Sequence, residues 1–144
     1  MKKIEIITTI LFFSTLIYAN SFEKIGSGIR AKGMGDAFSS LSGDLECVFY
    51  NPAGIFDIRK KNFYFSYRDM YNLGLINYGI VSYSHPFSET ETAAFSFSRL
   101  ATNVDFFDYN ENTFVFSYAR RIKKLKNLYL GINFKYYLAN FNEN

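Results

Sequence analysis

From residue 62 onward the apolar and polar positions of this chain alternate with a period of two. NFYFSYRD (62–69) places Phe63, Phe65 and Tyr67 on one face and Tyr64, Ser66 and Arg68 on the other. LINYGIVSYSH (75–85) follows, then TAAFSFSRL (92–100), which sets Ala94, Ser96 and Ser98 against Phe95 and Phe97. TFVFSYAR (113–120) opposes Phe114, Phe116 and Tyr118 to Val115, Ser117 and Ala119. LYLGINFKYYL (128–138) is the clearest, with Leu130, Ile132, Phe134 and Tyr136 on one face and Gly131, Asn133, Lys135 and Tyr137 on the other. This periodicity predicts five β-strands. Their lengths match the roughly nine to eleven residues that cross a bilayer as a tilted strand.

The connections predict antiparallel neighbours in a meander over residues 62–138. YNLG (71–74) reads as a tight turn and HPFSETET (85–92) as a polar loop carrying Pro86. ATNVDFFDYNEN (101–112) reads as a longer acidic loop, and RIKKLKN (121–127) as a basic turn. Residues 20–61 have a different character, rich in glycine at 26, 28, 33, 35, 43 and 54. A short helix is expected from about Asp44 to Tyr50, stopped by Asn51-Pro52, because the residue before proline is pushed out of the α region.

The first nineteen residues read as a secretory signal peptide. Lys2 and Lys3 form a positive start, Ile4 to Ile17 an apolar stretch, and Ala19 a small residue at the cut. No cysteine follows the cut to carry a lipid. An uncleaved N-terminal anchor is the alternative.

Composition sharpens the picture. The chain has 17 Phe and 12 Tyr, no Trp, and 20 % charged residues. So many rings in so short a chain call for an environment other than water. In a soluble barrel the apolar face points inward, whereas in an outer-membrane barrel it meets lipid and the polar face lines the lumen. Alternation alone does not choose between them. Export and the ring-rich strands favour the membrane, which makes Asn133 and Lys135 candidate lumen-facing residues. Tyr67, Tyr71, Tyr83, Tyr136 and Tyr137 suit an interfacial girdle. The formal charge of +3 falls to +2 without the signal, too small to argue for nucleic acid. Cys47 is the only cysteine, so no intramolecular disulfide is expected.

Candidate chemistry is sparse. GSGIRA (26–31) has the spacing of a dinucleotide-binding loop, but only SFEKI separates it from the signal, too little for the buried strand that such a loop requires. His85, the only histidine, lies at a strand end beside Pro86, and the nearby Ser82, Ser84 and Ser88 are too common to indicate a nucleophile. Neither catalysis, nor a metal site at Cys47 or His85, nor a cofactor is expected. Asp105, Asp108 and Glu111 form a candidate surface loop with Phe106, Phe107 and Tyr109. The basic turn has Arg120, Arg121, Lys123, Lys124 and Lys126, with anionic headgroups or solvent as its alternatives.

SGIRAKGMGDAFSSLSGDLECVFYNPAGI (27–55) resembles the N-terminal motif of outer-membrane proteins of the FadL/TodX-like superfamily, closest to its PorV/PorQ-like branch. The matching positions are Gly33, Met34, Gly35, Ala37, Phe38, Asn51, Pro52, Ala53 and Gly54. SYSHPF (82–87) and LGINFKYY (130–137) also look like strands of that branch. Gly43 departs from the acidic pair usual before the helix. The resemblance implies an all-β fold, an antiparallel outer-membrane β-barrel segment of about five strands, not closed, behind a plug-like segment at 20–61. There the glycines would let backbone pass close to the inner wall. It implies an outer-membrane location in a Gram-negative-type bacterium, membrane lipid as surroundings, and a role in secretion or surface attachment of exported proteins. The alternative is a FadL-like passive channel for long-chain fatty acids or other hydrophobic compounds. Such barrels have about fourteen strands and the smallest about eight, so five imply the N-terminal part of a longer barrel, with 139–144 as a truncated end. Closure by several copies is the other route.

Overall fold

The structure, a computed structural model, describes residues 28–104, 107–122 and 128–143. The signal segment 1–19, the glycine-rich segment through residue 27, Asp105 and the core of the basic turn at 123–127 lie outside the described residues. The alternating stretches form β1 (Asn62–Met70), β2 (Ile76–Ser88), β3 (Glu91–Val104), β4 (Phe107–Arg121) and β5 (Tyr129–Glu143). They pair antiparallel in chain order as one five-stranded sheet that does not close.

The strands outrun their sequence-predicted ends. HPFS belongs to β2, and the register of β2 against β3 shifts between Pro86 and Ser88. β1 begins at Asn62 opposite Ser84, so β2 is unpaired on that side at Pro86 and a residue without an N–H is tolerated. The expected acidic loop at 101–112 is also mostly strand: Val104 faces Phe107, and Leu100 faces Glu111. DYNEN (108–112) has no apolar/polar alternation, which hides the period, but the backbone ladder pairs regardless of side-chain polarity. Residues 139–143 likewise continue β5 rather than forming a tail.

Ahead of the sheet come α1 (Ile29–Gly33), α2 (Cys47–Tyr50) and a 3₁₀ helix (Pro52–Asp57). α2 starts later than the expected Asp44. The Asp44 side chain accepts the Glu46 amide at 2.8 Å, a local hydrogen bond that competes with helix. Asn51, at φ −149° and ψ 91°, ends α2, and Pro52 opens the 3₁₀ helix.

This N-terminal segment lies on one face of the sheet. Phe38, Leu45, Val48, Ile55, Phe56 and Ile58 are buried with Ala94 of β3 and Val115 and Ala119 of β4. Each large apolar side chain so buried contributes about 2 kcal/mol. Tyr78, Ile80 and Leu100 form a second, smaller cluster further along the sheet. The face accepts the segment because its side chains are small. Ser82 and Ser96 are hydrogen-bonded to each other, and Ser117 donates to Asn133 Oδ1 at 2.6 Å. Where the chain passes β5, Gly131 leaves the space: a Cβ there would collide with the backbone of Pro52 and Ala53.

Gly131→Ala should therefore lift the 3₁₀ helix off β5 and cost about 2 kcal/mol, the usual range for overpacking against backbone. The urea midpoint of the purified protein reads this. Gly33→Ala, whose Cβ would meet nothing within 4 Å, is the control and should leave the midpoint in place. Equal midpoints for the two variants would show that the contact at Gly131 does not hold the segment.

Candidate functional site

The two faces of the sheet have different surroundings. On the bare face, Phe63, Tyr83, Phe95, Phe116 and Phe134 stand side by side across all five strands, and Phe65, Val81, Phe97, Phe114 and Tyr136 form the next row. Neighbouring rings touch, with centroids 4.9 Å apart for Phe95–Phe116 and 5.0 Å for Phe97–Phe114. They nevertheless stay open to the surroundings: Phe63 is 66 % exposed, Phe116 55 % and Phe134 66 %. β5 adds Leu130, Ile132, Tyr136 and Leu138, all exposed. At about 100 Å² of open surface per side chain, this patch exceeds the few hundred Å² that soluble monomers ordinarily expose.

The band has polar limits. On this face Lys61 and Asp69 bracket β1, Glu91 and Arg99 bracket β3, and Asn112 and Arg120 bracket β4. At one limit Tyr67 donates to Asn77 Oδ1 at 2.7 Å, and Arg99 donates to Asn110 Oδ1 at 3.0 Å.

On the covered face a buried carboxylate ties the N-terminal segment to β1. Glu46, 1 % exposed, accepts the Arg30 amide at 3.0 Å, the Ala31 amide at 2.7 Å and the Tyr64 hydroxyl at 3.0 Å. Tyr64 in turn accepts the Ile29 amide at 3.2 Å. A buried charge is tolerable only with such partners. Gly28, at φ 112°, is needed here, because a Cβ would strike the Glu46 carboxylate. The Ile29, Arg30 and Ala31 amides, which a phosphate would need, are thus taken up by the chain's own side chains. Arg30 also pairs with Asp44 at 2.7 Å.

The motif residues divide by role. Phe38 is buried, its ring 5.5 Å from that of Tyr50, while Met34 and Ala37 are exposed. Gly33 and Gly35 do not pass close to a wall, since a Cβ at either would meet nothing within 4 Å. Gly35 is instead required by its φ of 62° in the turn after α1. In the same turn, hydrogen bonds from Lys32 and Tyr50, each at 2.7 Å, hold the Asp36 carboxyl below its ordinary pKa. Asn51 donates to the Ser39 carbonyl at 2.9 Å, and Pro52 and Ala53 run against Gly131. Gly54 is the motif glycine that does make a close approach, to the Leu41 carbonyl and Cys47 Sγ. Burial pushes the Cys47 thiol up.

Asn133 and Lys135 lie on the covered face. Asn133 donates to the Val48 carbonyl at 2.7 Å, which fixes α2 on β5. Asp108 and Glu111 are not in a common loop. Both are in β4, on opposite faces, with Glu111 accepting from Tyr109 on the covered side. Asp105, the third member, lies outside the described residues. Of the expected girdle tyrosines, Tyr67, Tyr71 and Tyr136 are exposed, Tyr83 sits mid-band because β2 continues past it, and Tyr137 falls on the covered face. His85 lies within β2, its Nδ1 3.2 Å from the Tyr83 hydroxyl and its ring 5.0 Å from Phe87. Sequence reasoning missed Glu46, Tyr64 and Gly131 as a docking set. The available signal was one charge in the run LECVFY and one glycine in the β5 pattern.

No family model, curated protein or solved structure matches this chain.

Glu46→Ala would leave two amides and the Tyr64 hydroxyl without their acceptor and should cost about 3 kcal/mol, more than Glu46→Gln, which keeps an acceptor in place. Cys47 supplies a second readout. In the folded protein it should react slowly with iodoacetamide at pH 8, rapidly in denaturant, and faster in Glu46→Ala than in the parent. Parent-like stability together with parent-like labelling would rule out the carboxylate as the tie.

Proposed function

We propose that these residues are the plug and first five strands of an outer-membrane β-barrel of the PorV/PorQ-like type, acting in secretion or surface attachment of exported proteins. The observation that carries the membrane assignment is the two-sidedness of the sheet. One face is built of small residues and covered by the N-terminal segment; the other is a continuous bare field of rings. On β5 the band from Leu130 to Leu138 is eight residue steps. That is about 27 Å along a strand, or about 21 Å for a strand tilted by about 40°, near the height of the apolar band of such barrels. Both outer edges of the sheet would need further strands, since unpaired N–H and C=O groups are costly in hydrocarbon. The role in secretion rests on the resemblance at Gly33–Phe38 and Asn51–Gly54. It draws support from the way the plug is held. Its contacts with β1 and β3–β5 combine an apolar core, the Glu46 tie and the fit at Gly131. A segment fixed at so many points suits a closed barrel that presents a surface to protein cargo better than an open path for solutes.

The test is a deletion strain and an antiserum to residues 28–54. The chain should fractionate with the outer membrane and migrate differently on gels with and without heating. Its loss should retain exported proteins in the periplasm while fatty-acid uptake stays normal. Normal secretion with impaired uptake would replace this reading by the channel. Recovery of the chain as a soluble periplasmic protein would remove the membrane assignment.

A further inference from the structure

One end of the sheet is basic and the other is not. At the rim before β1 and around the β2–β3 turn stand Arg59, Lys60, Lys61, Arg120 and Arg121, all exposed. Against them are three acids, Asp57, Glu89 and Glu91. Two of the cations are already engaged, Arg59 with Asp57 at 3.4 Å and Arg120 with Glu91 at 3.2 Å, yet the side chains of both stay more than half exposed. The Arg59 guanidinium lies over the Phe56 ring at 4.6 Å and donates to the Glu89 carbonyl at 3.2 Å. At the far end the described residues include Arg68 and Arg99 against Asp69, Asp108 and Glu111, a slight acidic excess among them.

We propose that the basic rim is a docking surface for anionic phospholipid headgroups, so that charge fixes which way the apolar band faces across the membrane. The proposal rests on the membrane reading above. Two observations argue for lipid as the occupant. Arg120 adjoins the apolar field directly, paired across the ladder with Leu130, which is 54 % exposed, so one molecule can place its phosphate on the rim and its chains on the apolar face. The charge is also spread along the rim rather than gathered in a pocket. The groove that does exist there is lined by Ser88, Glu89, Thr90 and Arg121, and its carboxylate disfavours a lone phosphate. A row of headgroups matches a row of cations.

The test uses the purified full chain and flotation with vesicles of phosphatidylcholine alone or of phosphatidylcholine with phosphatidylglycerol. The parent should bind the anionic vesicles about tenfold or more tightly, a preference that salt erases. The combined Lys60→Glu, Lys61→Glu and Arg121→Glu variant should lose the preference but keep its affinity for neutral vesicles. Arg99→Glu, on the far rim, should keep both. Because the salt titration of the parent needs no variant, a misfolded triple mutant leaves the test intact. Equal binding of the parent to both vesicles overturns the proposal and leaves the membrane reading standing. Binding to neither overturns both. A preference removed by millimolar inorganic phosphate at constant ionic strength would mean a soluble-anion site, and would overturn the assignment to lipid.

Discussion

The rest of the structure depends on a constraint at the covered face: backbone must lie almost directly on sheet. That is possible only where the strands present small side chains or none. Ala94, Ser96 and Ser98 on β3, Val115, Ser117 and Ala119 on β4 and Gly131 on β5 supply such a floor. The Pro52–Asp57 helix rests on it across three strands. Since side chains alternate along a strand, the same register forces the larger side chains to the other side. A one-residue slip would put Phe95, Phe116 and Phe134 beneath the N-terminal segment, where they do not fit.

The segment contributes a polar counterpart. Apolar packing against β3 to β5 resists separation but leaves the segment free to slide and turn. Glu46 removes that freedom at the β1 side by joining α1, the turn before α2 and Tyr64 through one side chain. A charge in such a place adds little net stability, because its desolvation offsets its hydrogen bonds. Its effect is geometric: every alternative position strands either the carboxylate or its donors. Asn133 acts similarly at the β5 side without a charge, held by Ser117 while it reaches the Val48 carbonyl.

The sequence made the strands legible where large and small side chains alternate, because that contrast is the imprint of two unlike surroundings. It failed where the apolar/polar alternation is lost, as at 108–112, since the hydrogen-bond ladder that defines a strand leaves no trace in side-chain chemistry. The stop at Asn51-Pro52 was legible because a proline acts locally. The sites of glycine close approach were not. A Cβ at Gly33 or Gly35 of the motif would meet nothing, whereas one at Gly28, Gly54 or Gly131 would strike atoms that the local sequence does not announce. The pairing of Glu46 with Tyr64 was hidden for the same reason: it spans eighteen residues, with no local pattern to announce it.

The face and the edges of the sheet make opposed demands. The field of rings is unfavourable in water, and nothing within the described residues covers it. The outer edges of β1 and β5, by contrast, carry backbone groups that water satisfies and hydrocarbon does not. β5 is the sharper case: fifteen residues long, regularly paired on one side throughout, without proline and with lysine at a single position, it lacks the usual devices that blunt an edge. Transfer of the aromatic face into lipid would therefore be favourable only after the edges found strand partners. In the barrel proposed above, pairing of the edges and burial of the rings would for that reason be one coupled event. The N-terminal segment already covers the small-residue face, which leaves the rings and the edges as the surfaces still to be satisfied.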